Sequence, residues 1–431
     1  MKLFRALAAA AIIAACPAGS LLSAALDLTV TADREDCLYA LGDTVSFAVR
    51  CSAADAVIEY RLSVDGKAEL ERGWLELRGG EAVVRGMLDM PGFLRLDLTA
   101  VAGADTVRRA WGCAVAPLAI RAAGALPDDF DRFWGQGKAE LLRIPLDARI
   151  EAVPGDEHES TLYRISLANL EGSRIYCWYR VPKGQGPFPA VLAIPGAGVR
   201  REGTRENYAE AGFAVLTIAI HGVGQDHELE YYDQLGRGLL AGYQRFGMDD
   251  PYRYYYRRVI LGLIRCLDFL SSREEVDQER IAVQGSSQGG GLSLLVASLD
   301  KRVKALASNV PALCDHAGSL HGRPAGWPQL LNHAGATERE QVMRTMGYYD
   351  AATAASRIEV PALLAAGFID GVCAPTTVLA AFNNLKGPRW IEMVPGMGHA
   401  SPKGRAERWP RWLRDALDGK ITDTRLIRGE R

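Results

Sequence analysis

Residues 285–289 have the sequence Gly-Ser-Ser-Gln-Gly, which fits the pattern G-x-S-x-G. An apolar segment typical of a buried strand precedes them at 280–284, and a helical pattern follows at 290–299. In this strand–turn–helix context the glycines permit a sharp turn that presents the central serine at the start of a helix. We predict that Ser287 is a nucleophile and that the backbone N–H of Gln288 stabilises an oxyanion. The alternative is a glycine-rich turn with an exposed serine.

A serine hydroxyl is a weak nucleophile until a base removes its proton and an acid orients that base. Asp370 follows a predicted strand at 361–367, and His399, the last histidine of the chain, follows a predicted strand at 389–394. This order, serine then acid then histidine, is the one that the strand–turn–helix context favours. We therefore predict that Asp370 and His399 act with Ser287. Asp315 is a rival acid.

A second oxyanion donor is expected in the loop after an earlier apolar strand at 189–194. That loop has the sequence Pro-Gly-Ala-Gly over residues 195–198. Its glycines let the backbone approach a substrate closely, so we predict that the backbone N–H of Ala197 is the donor. A plain turn is the alternative.

The elements that must position these residues lie in the longer, C-terminal part of the chain. Over residues 121–431 apolar strands alternate with helical segments, which predicts an α/β domain with a mostly parallel sheet covered on both faces. Residues 26–120 instead carry short alternating strands separated by turn signals such as Asp65-Gly66. This pattern predicts a small N-terminal β-sandwich of immunoglobulin-like type. We expect an accessory role for it, with carbohydrate binding as an alternative.

The first 25 residues have the features of a signal peptide. Lys2 and Arg5 form a basic start, an apolar run follows at 7–15, and small residues stand at 23–25. We predict cleavage after Ala25 and a secreted or periplasmic protein. A lipid anchor on Cys16 is the alternative, because residues 13–16 resemble a lipobox.

Composition excludes several classes of partner. The 431 residues are 48% hydrophobic, and 50 Lys and Arg balance 52 Asp and Glu, so we expect no nucleic-acid binding. After the N-terminal segment no apolar stretch approaches the roughly 20 residues of a membrane span. The eight cysteines lack zinc-type spacing, so we expect no metal and no cofactor. Export would permit one disulfide among Cys37, Cys51 and Cys113.

From residue 127 to about 401 the chain resembles carbohydrate esterase family 7, the acetyl xylan esterases and cephalosporin-C deacetylases of the α/β-hydrolase superfamily. The resemblance implies that Ser287, Asp370 and His399 form the catalytic set and that the reaction is deacetylation of sugar esters. The expected function is thus a secreted serine esterase acting on acetylated xylan or xylo-oligosaccharides. The matching segments are Asp-Phe-Asp-Arg-Phe-Trp at 129–134, Tyr-Tyr-Tyr-Arg at 254–257, Gly-Ser-Ser-Gln-Gly-Gly-Gly at 285–291, Gly-Phe-Ile-Asp at 367–370, Val-Leu-Ala-Ala-Phe-Asn at 378–383 and Gly-His at 398–399.

Two segments depart from the family pattern. Residues 195–197 are Pro-Gly-Ala where the family usually has His-Gly-Tyr, and residues 221–225 are His-Gly-Val-Gly-Gln where it has Arg-Gly-Gln-Gly. The first change keeps the backbone donor but removes an aromatic wall of the acyl pocket. A broader short-chain carboxylesterase, a thioesterase or a peptidase on the same fold are therefore alternatives, as is a non-catalytic carbohydrate-binding protein. The family is usually hexameric, so a homo-oligomer is compatible with the resemblance, but the sandwich is not part of the minimal family.

Overall fold

The computed structural model describes residues 26–53, 55–155 and 158–430. The predicted signal peptide, with its cleavage after Ala25, and the alternative anchor at Cys16 lie outside the described residues. Within those ranges no helix has the combined length and apolar character that crossing a membrane requires.

The N-terminal part of the chain forms the predicted β-sandwich from two small antiparallel-rich sheets. One sheet has the strand order β1-β3-β6 and the other β2-β8-β7-β4-β5. Alternation explains the packing: in β3 the side chains of Val45, Phe47 and Val49 are fully buried between the sheets, whereas those of Ala48 and Arg50 face solvent. The strands are β1 Leu28–Ala32, β2 Leu38–Tyr39, β3 Val45–Cys51, β4 Val57–Val64, β5 Ala68–Leu75, β6 Glu81–Gly86, β7 Gly92–Ala102 and β8 Asp105–Val115.

A ten-stranded sheet forms the centre of the rest of the chain, in the order β18-β17-β16-β15-β14-β12-β13-β11-β10-β9. Strands β12 to β18 pair in parallel, and β9, β10 and β11 are antiparallel additions at one side. The mostly parallel α/β sheet predicted from the sequence is confirmed. The strands are β9 Arg149–Ala152, β10 Ser160–Ala168, β11 Arg174–Pro182, β12 Phe188–Ile194, β13 Ala214–Ala219, β14 Val276–Ser286, β15 Val303–Asn309, β16 Ala362–Gly367, β17 Arg389–Val394 and β18 Thr424–Arg428.

Helices cover both faces of this sheet. Along β12 the side chains of Ala190 and Leu192 belong to one core and that of Val191 to a second core, which Trp409 and Trp412 of α9 complete. Burial on both faces is the reason that these strands are continuously apolar in the sequence. The helices are α1 Phe130–Leu142, α2 Glu206–Glu210, α3 Leu229–Arg237, α4 Tyr255–Ser271, α5 Gln288–Leu299, α6 Arg339–Gly347, α7 Ala351–Ala354, α8 Pro375–Asn384 and α9 Arg405–Leu417.

The structure corrects two details of the sequence analysis. Helix α5 begins at Gln288, two residues before the predicted start, because the serine turn leads into the helix without a linker. The disulfide expected among the N-terminal cysteines is not formed: Cys37, Cys51 and Cys113 are buried free thiols. The Cys37 sulfur instead accepts a hydrogen bond from the Trp111 indole N–H at 3.4 Å. These thiols contribute apolar packing.

Candidate active site

Ser287 occupies the sharp turn between β14 and α5. Its backbone lies at φ 57° and ψ −120°, a conformation that a side chain adopts only under constraint. Two hydrogen bonds supply the constraint: the Ser287 N–H donates to the Asn309 carbonyl, and the Ala312 N–H donates to the Ser287 carbonyl, each at 2.9 Å. The serine hydroxyl is thereby presented at the carboxyl edge of the sheet, as the sequence analysis expected.

Glycines make this turn possible because no side chain would fit. A Cβ on Gly285 would lie 2.3 Å from the backbone of Gly289, and a Cβ on Gly289 would lie 2.1 Å from the Ile194 carbonyl oxygen. The turn therefore packs directly against the end of β12. This contact brings the loop after β12 beside the serine.

Ser287, His399 and Asp370 lie in one chain of hydrogen bonds. His399 Nε2 is 2.9 Å from Ser287 Oγ, and His399 Nδ1 is 2.8 Å from Asp370 Oδ2. A carboxylate can only accept, so Nδ1 carries the proton and Nε2 is free to accept from the serine hydroxyl. The Asp370 side chain is fully buried, and its other oxygen accepts the backbone N–H groups of Val372 and Cys373 at 2.8 and 2.9 Å. This arrangement can activate a serine hydroxyl for attack on a carbonyl carbon.

The rival acid, Asp315, lies elsewhere. Its carboxylate accepts the backbone N–H of Ala123 at 2.6 Å and pairs with Arg323 at 2.5 Å. These contacts connect the segment before α1 to the segment after β15. Asp315 therefore has a structural role. Asp370, and not Asp315, is bonded to His399.

Two backbone N–H groups belong to segments that adjoin Ser287. The Gln288 N–H stands at the first position of α5, and the Ala197 N–H lies in the loop after β12, which we call the oxyanion loop (residues 195–200). Neither N–H has an acceptor among the described residues. A Cβ placed on Gly196 would lie 4.0 Å from Ser287 Cβ, so this loop passes directly beside the serine. Unpaired donors in this position can receive the negative charge of a tetrahedral intermediate.

The Gln288 side chain ties the serine turn to the oxyanion loop. Its amide oxygen accepts hydrogen bonds from the hydroxyls of Tyr243 and Tyr256 at 2.5 and 2.6 Å, and its amide nitrogen donates to the Gly196 carbonyl at 3.4 Å. The glutamine is fully buried, so both of its polar atoms are satisfied without water. The position of the oxyanion loop is therefore fixed from the serine side.

His221 and Arg200 hold the same loop from the opposite side. His221 Nε2 donates to the Gly198 carbonyl at 3.0 Å, while its Nδ1 accepts the hydroxyl of Tyr255 at 2.6 Å. Burial lowers the pKa of His221 to about 4, so the ring stays neutral and keeps this pattern at neutral pH. Arg200 donates to the Ala197 carbonyl at 2.7 Å and to that of Gly196 at 3.2 Å. These bonds hold the backbone carbonyls of residues 196–198, so the loop that contains Ala197 is fixed in position.

Comparison with known proteins identifies the family. A family profile described as acetyl xylan esterase matches residues 119–415, which is more than half of the chain. This chain belongs to the acetyl xylan esterase family. It is therefore a carboxylic ester hydrolase with the α/β-hydrolase fold, as the sequence resemblance indicated. The match begins after the sandwich strands.

Individual relatives agree with this assignment. The chain is 32% identical over 373 residues to the acetyl esterase Axe7A of Xylanibacter ruminicola, an alignment that covers 84% of each protein. An acetyl xylan esterase from Paenibacillus sp. R4 superposes with a TM-score of 0.62 at 32% identity, over 70% of this chain and 98% of that one. Acetyl xylan esterase 1 from Thermoanaerobacterium sp. JW/SL YS485 gives a TM-score of 0.61 at 26% identity, over 70% and 97%.

In this member of the acetyl xylan esterase family a cavity of about 630 Å³ opens beside Ser287. Gly196 of the oxyanion loop, Asn207 of α2, and Ser401 after the histidine loop contribute to its walls. Arginine side chains contribute as well. The cavity has the volume of a small-molecule site, and Ser287 forms part of its wall.

The residues that support the oxyanion loop were not predicted from the sequence. Tyr255 and Tyr256 stand in a segment that carried the family resemblance, so a signal existed but assigned them no role. Tyr243 had no signal, because its bond to Gln288 joins segments that meet only in the folded chain. Arg200 bonds to residues three and four positions before it, but no sequence pattern marked these contacts. His221 was noted solely as a departure from the family pattern.

Proposed function

We propose that this chain removes acetyl groups from carbohydrate esters such as acetylated xylan or xylo-oligosaccharides, through an acyl-enzyme intermediate on Ser287. The observation that carries the proposal is the hydrogen-bonded series of Ser287, His399 and Asp370 at the edge of the 630 Å³ cavity. Membership of the acetyl xylan esterase family and the likeness to an acetyl esterase support the choice of acyl group.

The first half of the reaction forms the acyl-enzyme. His399 Nε2 accepts the proton of Ser287 Oγ as that oxygen attacks the ester carbonyl carbon, and Asp370 stabilises the resulting imidazolium. The carbonyl oxygen becomes an oxyanion that accepts the backbone N–H groups of Gln288 and Ala197. His399 then returns the proton to the leaving sugar oxygen, which departs as an alcohol and leaves an acetyl group on the serine.

The second half of the reaction releases acetate. A water molecule takes the place of the sugar, gives its proton to His399, and attacks the acetyl carbonyl carbon. The same two N–H groups receive the second oxyanion. Collapse of this intermediate breaks the bond to Ser287 Oγ, which recovers its proton from His399.

Replacing the nucleophile tests the mechanism. Ser287→Ala should reduce kcat for p-nitrophenyl acetate by about 10⁴- to 10⁶-fold, since the series of hydrogen bonds acts as one unit. The matched control is Ser286→Ala, which removes the neighbouring hydroxyl on the same cavity wall; it should keep its rate within about tenfold. Turnover by Ser287→Ala within tenfold of wild type would contradict the nucleophile assignment.

Substrate comparison tests the acyl and carbohydrate preferences. Hydrolysis of p-nitrophenyl acetate, p-nitrophenyl butyrate and a peptide anilide separates an acetyl esterase from a broad carboxylesterase and from a peptidase. Acetate release from acetylated xylan and from acetylated pectin then identifies the polysaccharide. Faster cleavage of the peptide anilide than of the acetyl ester would contradict the proposal.

We further propose that the protein is exported, on the basis of the basic start and apolar run before Ala25. Mass spectrometry of protein recovered from the native host measures the mature N-terminus. A chain that begins at Leu26 supports cleavage by signal peptidase, whereas a lipid-modified Cys16 supports an anchored form. An intact Met1 terminus in the native host would contradict export.

A further inference from the structure

The N-terminal sandwich contacts the loop that carries Asp370. Arg95 of β7 donates from Nη1 to the carbonyl oxygen of Ile369 at 2.9 Å, and Ile369 directly precedes Asp370. Asp97 orients this guanidinium by accepting Nε and Nη2 at 2.9 and 2.6 Å. The Phe93 ring packs edge-on against Phe368 with centroids 4.8 Å apart. The backbone on the N-terminal side of the acid is thus fixed from the sandwich.

The sandwich also contacts the loop that carries His399. The Gly112 N–H of β8 donates to the Pro395 carbonyl at 3.1 Å. The Trp111 ring lies so close to Gly396 that a Cβ there would be 2.9 Å from it. Gly396 is three residues before His399, so this contact fixes the position of the loop that carries His399 on the side of the sandwich.

A backbone hydrogen bond also joins the two loops to each other. The Ile369 N–H donates to the Met397 carbonyl, in the loop that carries His399, at 3.1 Å. Ile369 therefore accepts a hydrogen bond from Arg95 through its carbonyl oxygen and donates one to the loop of His399 through its N–H. Asp370 and His399 are 29 positions apart and follow different strands. Their 2.8 Å hydrogen bond therefore depends on the relative position of two loops.

We propose that the N-terminal sandwich is a positioning element for the acid and histidine loops, with Arg95 as its principal positioning residue. This inference rests on the proposed function, because it assigns Asp370 and His399 to the reaction. The physical reason is that small displacements in a reacting geometry are costly, with about a hundredfold loss in rate for about 1 Å. Arg95 touches no reacting atom and acts through the backbone of Ile369.

Arginine substitution in the full-length protein tests this role. Arg95→Ala should lower kcat for p-nitrophenyl acetate by about tenfold to a hundredfold with little change in KM, because loop position and not substrate contact is lost. Arg95→Lys should recover part of kcat, since an ammonium group can donate to the same carbonyl. The matched control is Arg72→Ala, which removes an arginine of strand β5 whose bonds to Glu59 and Glu69 stay within the sandwich.

Glycine substitution provides a second variant in case Arg95→Ala does not fold. A Cβ on Gly112 would lie 2.6 Å from the Phe368 Cβ, so Gly112→Ala should displace the acid loop and lower kcat. A Cβ on Gly92, at the start of β7, would meet only ordinary contacts at 3.6 Å. Gly92→Ala is therefore the control for Gly112→Ala.

The outcomes separate the inference from the proposed function. If Arg95→Ala and Gly112→Ala keep kcat within twofold of wild type, or if Arg72→Ala loses as much as Arg95→Ala, the positioning role is wrong while the esterase mechanism stands. If the wild type has no esterase activity, or if Ser287→Ala retains it, the proposed function itself is wrong.

The cavity beside Ser287 has more basic than acidic side chains in its wall. Three arginines, Arg200, Arg205 and Arg405, line this cavity. Among the described lining residues Glu407 is the one acidic residue. Arg200 is engaged by the oxyanion loop and by the Glu202 carboxylate at 3.5 Å. Arg205 and Arg405 pair with no carboxylate within the described parts of the chain. Two guanidinium groups thus face the candidate substrate space without a paired anion.

Arg405 is held in place before any substrate binds. Its guanidinium stacks on the Trp409 ring at 4.5 Å and donates to Ser401 Oγ at 3.1 Å and to the Gln284 amide oxygen at 3.3 Å. Burial lowers the pKa of Arg405, which remains a cation at neutral pH. The hydrogen-bond partners of Arg405 are thus neutral groups, which fix its orientation without an ion pair.

We infer that this cavity accepts a substrate with a carboxylate group, and specifically a uronic acid substituent near the acetylated sugar. The inference rests on the proposed function, since a uronate is the carboxylate that a polysaccharide carries. Arginine donors match carboxylate geometry and bind it with charge-assisted hydrogen bonds. The subsite would select among acetylated polysaccharides by charge.

Paired substrates test this subsite. Acetylated xylo-oligosaccharides of equal length, with and without a uronic acid branch, should differ in KM by about tenfold in favour of the acidic one, as expected for one charge-assisted contact. Arg405→Gln should abolish the difference in KM between the acidic and the neutral substrate. The control is Arg408→Gln on the same helix, because Arg408 pairs with Glu392 and does not line the cavity. Equal KM values for the two wild-type substrates would overturn the subsite, while deacetylation of both would leave the proposed function intact.

Discussion

Ala197 gives the oxyanion loop a short side chain next to a backbone donor. Where the resembled family usually has a tyrosine, this side chain ends at Cβ, and the acyl group of a bound ester would lie beside it. We predict that Ala197→Tyr increases the preference for acetyl over butyryl esters by about 10- to 200-fold, the range that pocket size supplies.

The ratio of kcat/KM for p-nitrophenyl acetate and butyrate measures this change. Ala197→Ser is the control, since it keeps a small side chain and the backbone N–H, and it should leave the ratio near that of wild type. A wild-type enzyme that already prefers acetate by more than about a hundredfold would contradict a roomier acyl pocket.

Single residues differ in how well the sequence predicts them. Ser287, Asp370 and His399 could be placed because their chemistry requires one chain order and because each follows an apolar strand, and the structure brings them within hydrogen-bond distance. Tyr243 could not be placed, since its bond to Gln288 joins segments 45 positions apart with no shared pattern. A residue that acts by supporting another residue, as Tyr243 supports Gln288, is not marked by a sequence motif.

The element that presents the nucleophile is the turn from β14 into α5. A Cβ on Gly289 would lie 2.1 Å from the Ile194 carbonyl oxygen, so Gly289→Ala must push β12 and the oxyanion loop away from Ser287. We predict a loss of about 1–3 kcal/mol in the free energy of unfolding from overpacking, together with a fall in kcat of about a hundredfold from the displaced donor.

Denaturant unfolding and ester turnover measure the two effects of Gly289→Ala. The matched control is Gly135→Ala in the exposed face of α1, where a Cβ would meet nothing within 4 Å. The control should be slightly more stable than wild type because alanine favours helix. Equal activity of Gly289→Ala and wild type would show that the oxyanion loop is not held by this contact.

Elements with burial on both faces were predicted well, and those at the sheet margin were not. All six residues of β13 and of β16 are buried, and their apolar runs stand out in the sequence. Strands β10 and β11 mix buried apolar residues with polar or partly exposed ones, so no continuous run marked them. The antiparallel margin of the sheet was therefore missed.

Two buried histidines make the stability of the whole molecule depend on pH in mild acid. Burial lowers the pKa of both His221 and His316 to about 4, whereas an unfolded histidine titrates near 6.5. Between pH 6.5 and 4 the unfolded chain binds more protons, so stability decreases as pH falls, by about 1.4 kcal/mol per unit for each histidine. Burial raises the pKa of Asp65 to about 6, and it also raises the pKa of Glu202, Asp315 and Asp350. These carboxyl groups bind more protons in the folded chain and therefore oppose the effect of the histidines.

Unfolding free energies at pH 7 and pH 5 measure this dependence. His316→Leu removes a buried ring whose Nε2 has no hydrogen-bond partner among the described residues, so the variant should lose less stability between the two pH values than wild type. His321→Gln is the control, because His321 is exposed. An unchanged difference in His316→Leu would contradict a neutral buried histidine.

The contact between the sandwich and the two loops has a consequence for how such proteins diverge. Arg95 binds the carbonyl oxygen of Ile369, and the Gly112 N–H binds that of Pro395. Every amino acid supplies a carbonyl oxygen, so mutation at positions 369 and 395 can change the side chains and leave these bonds in place. Homologues can therefore keep the same interdomain attachment while their loop sequences drift apart. An alignment would record such loops as variable, although their positions in space had been inherited unchanged.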